Sequence, residues 1–193
     1  MATQYYSATS LDGFIATIDD SVAWLDALGD PAESSYPAFI RDVGAIAMGS
    51  ATYEWVWRHL FGDGDPSVDD AASPAWPYAA PTWVFTSRTL PPVPGADVRF
   101  VRGDVRPVHA DMLRVAGDRN IWLVGGGELV GQFHDAGLLD ELILQVGSVT
   151  LGAGKPLLPR AIVQPPLRLR EARMMGEGFV ELRYEVRRDA TTS

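Results

Sequence analysis

Residues 121 to 130 leave this chain few ways to fold. Ile121-Trp122-Leu123-Val124 is an apolar run that meets Gly125-Gly126-Gly127 and continues as Glu128-Leu129-Val130. A strand running through a glycine turn into a helix is the reading. Without side chains the glycines let a ligand approach the backbone, and the amides opening the helix carry partial positive charge suited to a diphosphate. The competing reading is a tight turn with no ligand, for which one glycine would suffice. The third glycine of the dinucleotide fingerprint would fall at Val130, so this is not that motif. Gly154-Lys155 is not a P-loop either, because Pro156 stands where Ser or Thr should hold magnesium.

The rest of the chain alternates apolar runs with amphipathic stretches, which predicts one α/β domain over residues 1–193. Strands are expected at Tyr5 to Ala8, Ala45 to Met48, Pro81 to Thr86, Asp97 to Val101, Asn120 to Val124 and Glu141 to Val146. Helices are expected at Ser21 to Leu28 (capped by Asp20 or Ser21), from Ser34 or Ser35 with Pro37 to about Val43, and at Thr52 to Leu60, Pro107 to Ala116 and Glu128 to Ala136. Leu167 to Arg188 reads as a hairpin turning at Gly176-Glu177-Gly178. Gly62 to Pro81, with Asp63, Asp65, Asp69 and Asp70, is a long loop, either a lid carrying Trp76 and Tyr78 over a pocket or mobile surface.

Composition removes whole classes of function. With no cysteine, zinc on thiolates, disulfide frameworks and cysteine nucleophiles are excluded. The net charge is -9, and residues 1 to 96 hold 12 acids against 3 bases. That is no footprint for nucleic acid. No apolar run reaches the ~18 residues of a membrane span and the N-terminus lacks a basic flank, so the expected setting is cytoplasmic. Of 16 basic residues only Lys155 is lysine, so an anionic ligand is expected on arginine forks and backbone amides. His59, His109 and His134 are too scattered for a metal face, and no metal site is expected.

Several segments together carry a resemblance. In order they are Ser10-Leu11-Asp12-Gly13-Phe14-Ile15-Ala16, Met48-Gly49-Ser50-Ala51-Thr52-Tyr53-Glu54, Thr86-Ser87-Arg88-Thr89-Leu90, the glycine triplet, Gly137-Leu138-Leu139-Asp140-Glu141-Leu142 and Leu151-Gly152-Ala153-Gly154-Lys155. The set resembles the dihydrofolate reductase-like superfamily, in the branch of the C-terminal reductase domain of bifunctional riboflavin-biosynthesis proteins. The resemblance implies a twisted, mainly parallel sheet flanked by helices, with an antiparallel C-terminal hairpin, and NADPH as cofactor. It implies that Ala8 and Ile15 contact the nicotinamide end, that Gly49, Ser50 and Thr52 hold phosphate, and that Thr86, Ser87 and Arg88 receive the 2′-phosphate. Gly125, Gly126, Gly127, Glu128 and Leu129 would hold the diphosphate.

The activity implied is reduction of a small heterocycle of the pterin or aminopyrimidine type, in the class of 5-amino-6-(5-phosphoribosylamino)uracil reductases, by a homodimer. Apolar runs at Leu142 to Val146 and Leu157-Leu158, with the hairpin, offer surface for a second copy. The chain departs from its relatives where substrate binds: Ser34-Ser35-Tyr36 stands where dihydrofolate reductases carry an acid, Gly125 where riboflavin reductases carry one, and Ser148 where a proline is usual. Asp12, Glu33 and Tyr53 are the candidate proton donors beside a bound water, against roles as turn former, helix-start charge and packing aromatic. Trp24 is either pocket wall or core. The rival reading is an NADPH-binding or ligand-sensing protein that has lost catalysis.

Overall fold

Strands that are apolar at every position must lie in a sheet covered on both faces. Val43–Met48 is buried throughout. The computed structural model describes residues 1–29, 34–62 and 75–188. In chain order its elements are β1 (Thr3–Ser10), β2 (Phe14–Ala16), α1 (Tyr36–Phe39), β3 (Val43–Gly49), α2 (Ser50–Phe61), β4 (Thr82–Phe85) and β5 (Val98–Val101), then α3 (Val105–Ala116), β6 (Asn120–Gly125), α4 (Gly127–Asp135), β7 (Glu141–Gly147), β8 (Lys155–Pro156), β9 (Arg168–Met175) and β10 (Phe179–Glu185). An eight-stranded sheet has the order β5-β4-β3-β6-β1-β7-β10-β9. Its pairs from β5 to β7 are parallel, and the β9–β10 hairpin adds antiparallel pairs beyond β7.

Strand alternation sorts the core into two layers. Tyr5, Ala45, Ala47, Ile121, Leu123, Leu142 and Leu144 face α3 and α4, where they meet Met112, Val130 and Phe133. Tyr6, Ile46, Met48, Trp122 and Ile143 face the other way, toward Phe39 of α1 and Tyr53 of α2. Thus α2 and α4, which follow the neighbouring strands β3 and β6, pack on opposite faces of the sheet.

Four local expectations change. The Ser21 to Leu28 segment is a 3-10 helix over Ala23–Ala27 whose N-cap is Val22, without a side-chain cap bond. It is too short to sustain an α-helix alone, and Leu28 and Trp24 seat it against Gly147. The helix expected from Ser34 to Val43 is one α-turn followed by a 3-10 turn, because β3 begins at Val43. The two-residue β8, paired with β2, carries no periodicity to read. The runs offered as surface are interior: Leu142, Ile143 and Leu144 are core, and Leu157 and Leu158 pack against it. No helix among the described residues is long and apolar enough to cross a membrane.

One core residue makes stability depend on pH. His109 is 8% exposed; its Nε2 bonds Thr3 Oγ1 at 2.8 Å, and its ring lies edge-on to Phe133. Burial pushes its pKa below the ordinary 6.5. A histidine whose folded pKa is depressed leaves the unfolded chain binding more protons once pH falls below about 6.5, so stability drops there and levels off below the folded pKa. We expect the urea midpoint to fall between about pH 7.5 and about pH 5.5, above the range where carboxylates titrate. His109→Gln should flatten that slope, and an unchanged slope would assign it to other groups.

Candidate functional site

In an open parallel sheet, polar main chain is left unpartnered at the carboxyl ends of the strands, most of all where successive helices leave to opposite faces. Here that point lies between β3 and β6. A cavity of about 400 Å³ opens there, lined by Gly49, Ser50 and Ala51 after β3, Thr86 and Ser87 after β4, Arg102 and Gly103 after β5, and Gly126, Glu128 and Leu129 after β6. Both helices that start at this cavity, α2 and α4, have a glycine N-cap and no side-chain cap bond. By contrast, α3 is capped by Asp104, which accepts from the Arg106 amide at 3.0 Å. Two helix starts with no side-chain cap therefore share one cavity, and their amides suit an anion.

The glycines of the triplet serve different ends. Gly125 has φ 139°, a conformation side chains resist. A Cβ on Gly127 would stand 2.5 Å from the carbonyl oxygens of Pro156 and Leu157, so this residue is small because backbone packs on it. Gly126 alone lines the cavity and has open space where a Cβ would be. The Gly125–Gly126 peptide is cis. Glu128 would repel an anion at this helix start, but Arg160 forks onto it at 2.8 and 2.9 Å and onto Asp135 at 2.8 Å. That fork holds the Glu128 carboxyl below the ordinary range.

A larger cavity of about 860 Å³ opens at Ala8 and Val124, two residues before Gly126. Aromatic walls come from Tyr6, Tyr36, Trp55, Tyr78, Trp122 and Phe179. Beneath it runs a polar line across three strands, in which Gln145, Glu181 and Arg173 stand side by side in β7, β10 and β9. Gln145 Nε2 donates to the Tyr6 hydroxyl at 2.7 Å. Glu181 is fully buried, accepts from the Ser35 hydroxyl, and takes Arg173 and Arg183 at 2.9 Å each. Burial alone would raise its pKa, but these donors outweigh it and hold the carboxyl below its ordinary value. It is therefore a fixed anion under the Tyr6–Gln145 wall.

The structure gathers Gly49, Ser50, Thr86, Ser87, Gly126, Glu128 and Leu129 at the smaller cavity and Ala8 at the larger. Gly125 and Thr52 stand next to each other beside the smaller one. Ile15 lies half-buried in β2 and lines neither. Arg88, expected at the 2′-phosphate, is turned to Glu54 in a two-pronged pair of 2.9 and 2.6 Å. The arginine that lines the cavity is Arg102, with no hydrogen-bond or ion-pair partner among the described residues. Its sequence signal is its place, directly after a strand and before a glycine.

The proton-donor candidates are placed elsewhere. The Asp12 carboxylate accepts from Ser10 Oγ at 2.6 Å and from the Leu151 and Gly152 amides at 3.1 and 2.7 Å, and the Ser10 bond first of all lowers its pKa. It ties two of the motif segments together as a turn former. Tyr53 is fully buried, donates to the Pro91 carbonyl, and has its pKa pushed up to about 12 by burial. Neither lines either of these two cavities. Glu33 lies outside the described residues, as do residues 63–74 of the acidic loop. Trp24 is not cavity wall: it packs on Gly147 with its indole nitrogen buried, and Leu25, Ala27 and Leu28 form the wall instead. Trp76 stacks toward Tyr53 and Tyr78, which places Tyr78 over Trp122.

Comparison with known proteins places these features in a family context. The model of the RibD C-terminal domain family matches residues 3–180. The uncharacterized protein YwjB of Bacillus subtilis (strain 168) is 33% identical over 183 residues, covering 94% of this chain and 96% of that one. A Shewanella sp. PV-4 protein, provisionally named for riboflavin biosynthesis, has a crystal structure that superposes with a TM-score of 0.74 at 26% identity, covering 97% of this chain and all of that one. Dihydrofolate reductase from Enterococcus faecalis, solved with NADP(H), superposes with a TM-score of 0.60 at 12% identity over 95% of each chain, a likeness of fold. The architecture is thus dihydrofolate reductase-like.

The glycines can be separated experimentally. Gly127→Ala drives a methyl into two carbonyl oxygens, an overpacking expected to cost ~1 to 3 kcal/mol. Gly126→Ala meets nothing. Thermal denaturation should show a lower midpoint for Gly127→Ala and a wild-type midpoint for Gly126→Ala; equal losses would mean that the turn, and not its neighbours, sets the requirement.

Proposed function

The chain belongs to the RibD C-terminal domain family, and from that premise we propose that it is an NADPH-dependent reductase of a small flat heterocycle, of the pterin or aminopyrimidine type. The observation that carries the reading is the pair of helices without side-chain caps that start at one cavity holding Arg102, which has no partner among the described residues. Bound there, NADPH would supply the hydride. The α2 and α4 amides and Gly126 fit its diphosphate, and Thr86, Ser87 and Arg102 its 2′-phosphate. Ala8 and Val124, at the mouth of the larger cavity, leave room for a flat ring against the aromatic wall. The chain's part is to bind, orient and exclude water; with Asp12 and Tyr53 engaged elsewhere, the proton is best supplied by a water.

The reading extends to a homodimer, because β9 forms an edge strand exposed along nearly its whole length. Sedimentation at micromolar concentration should give twice the 21.0 kDa chain mass. Stopped-flow oxidation of bound NADPH against pterins and aminopyrimidines tests catalysis itself, and binding without any turnover would favour the rival role as a ligand sensor.

Cofactor choice is the sharper test. A charge-assisted arginine–phosphate contact contributes ~1.5 to 3 kcal/mol, roughly ten- to a hundredfold in affinity. Arg102→Ala should lower NADPH affinity by about that factor and leave NADH affinity little changed. Arg88→Ala should matter much less, since its guanidinium is committed to Glu54. Calorimetric titration of both cofactors at one salt concentration decides this: equal losses for NADPH and NADH, or a larger effect at Arg88, would refute the assignment of Arg102.

A further inference from the structure

The larger cavity carries information about the substrate that the family resemblance does not. Among the described residues its lining contains no lysine, arginine or histidine and one charged side chain, the acid Glu177 in the β9–β10 turn. No base is hidden outside the described set, because residues 30–33, 63–74 and 189–193 contain none. The arginines nearest in the strand ladder, Arg173 and Arg183, are committed to the buried Glu181. What the wall offers is aromatic faces with neutral polar groups. Gln145 spends its amide nitrogen on Tyr6 and Glu181, which leaves its carbonyl oxygen without a partner among the described residues. The hydroxyls of Tyr36 and Tyr78 have no hydrogen-bond partner among the described residues and are not among the sealed polar atoms.

A phosphate monoester carries close to two negative charges at neutral pH and needs arginine forks, a lysine or helix amides to replace its water. The glycine-capped starts of α2 and α4 lie at the smaller cavity, and α1, which starts beside the larger one, is a single four-residue turn whose Tyr36 amide is taken by Ser34 Oγ at 3.1 Å. In the larger one a phosphate would lose hydration without a counter-charge and would meet Glu177 and the field of a chain of net charge -9. A flat uncharged ring suits the same walls, because it stacks on the aromatic faces and offers N–H groups to Gln145 Oε1.

We propose that the larger cavity takes a flat, uncharged, unphosphorylated heterocycle and rejects the phosphate ester of the same compound. The class of substrate is thereby separated from 5-amino-6-(5-phosphoribosylamino)uracil, the compound expected from the family resemblance. The inference rests on the reductase reading only in taking the bound ring as the hydride acceptor; the selectivity belongs to the cavity and holds without turnover.

Matched pairs test it: 5-amino-6-(ribosylamino)uracil against its 5′-phosphate, and neopterin against its 3′-phosphate, titrated calorimetrically into the full chain with and without NADPH. At least one free compound should bind, and each that does should bind at least about tenfold more tightly than its ester. Glu177→Lys, an exposed turn substitution that replaces the acid with a cation, should raise the ester's affinity several-fold relative to that of the free compound. An ester that binds as tightly as its parent, binding by neither member of either pair, or no response of the ester to Glu177→Lys overturns the inference. Failure of NADPH itself to bind would overturn the reductase reading, and the titrations without cofactor would still report on the cavity.

Discussion

Coverage of the parallel sheet on both faces is the constraint from which the other features follow. With α3 and α4 on one side and α1 and α2 on the other, β3 is apolar throughout and β1, β6 and β7 bury side chains on both faces, while ladder bonds use up their main-chain groups. Unpaired polar backbone remains at the strand ends. Since β3 and β6 are neighbours whose helices leave to opposite faces, the starts of α2 and α4 come together at one crevice. Their glycine N-caps leave amides that a side chain would otherwise have taken, as Asp104 does on α3. The exposed amides of the crevice are thus a property of topology plus two glycine N-caps.

The two cavities divide the electrostatic work. The smaller holds the helix starts and Arg102, whose guanidinium has no partner among the described residues, and neutralises its own Glu128 through Arg160. Among the described residues the larger is aromatic and uncharged but for Glu177, and the buried anion beneath its wall, Glu181, is compensated by two arginines. A buried carboxylate with fewer donors would be costly; here three strands in register and Ser35 supply them. That compensation lets Gln145 and Tyr6 present a neutral polar edge to a ligand.

Much of the smaller cavity's lining was legible because its signals are local. Gly49-Ser50, Thr86-Ser87 and Gly126-Glu128-Leu129 each sit where a strand ends, and each reaches the same cavity. Arg88, a basic residue beside two hydroxyls, looks like a phosphate site in sequence, and in the fold it pairs with Glu54, one turn into α2. Arg102 obeys the same strand-end rule yet carries no motif. Asp12 and Tyr53 look like acids in sequence, and in the fold one binds a turn and the other a proline carbonyl. Trp24 illustrates the same limit, since its neighbours line the cavity while it packs on Gly147.

Periodicity and punctuation by themselves determined the class of the domain, the run of strands and helices in its second half, the terminal hairpin and the glycine turn, because each depends on residues a few positions apart. Strand order lay beyond them. Whether β6 inserts between β1 and β3, whether Gln145, Glu181 and Arg173 stand abreast, and which arginine faces the crevice are settled by contacts between residues tens of positions apart. Such contacts form only when both faces of the sheet are buried together, which no local stretch of sequence encodes. The motif segments therefore show where polar backbone can be exposed, and the tertiary structure decides which charges stand beside it.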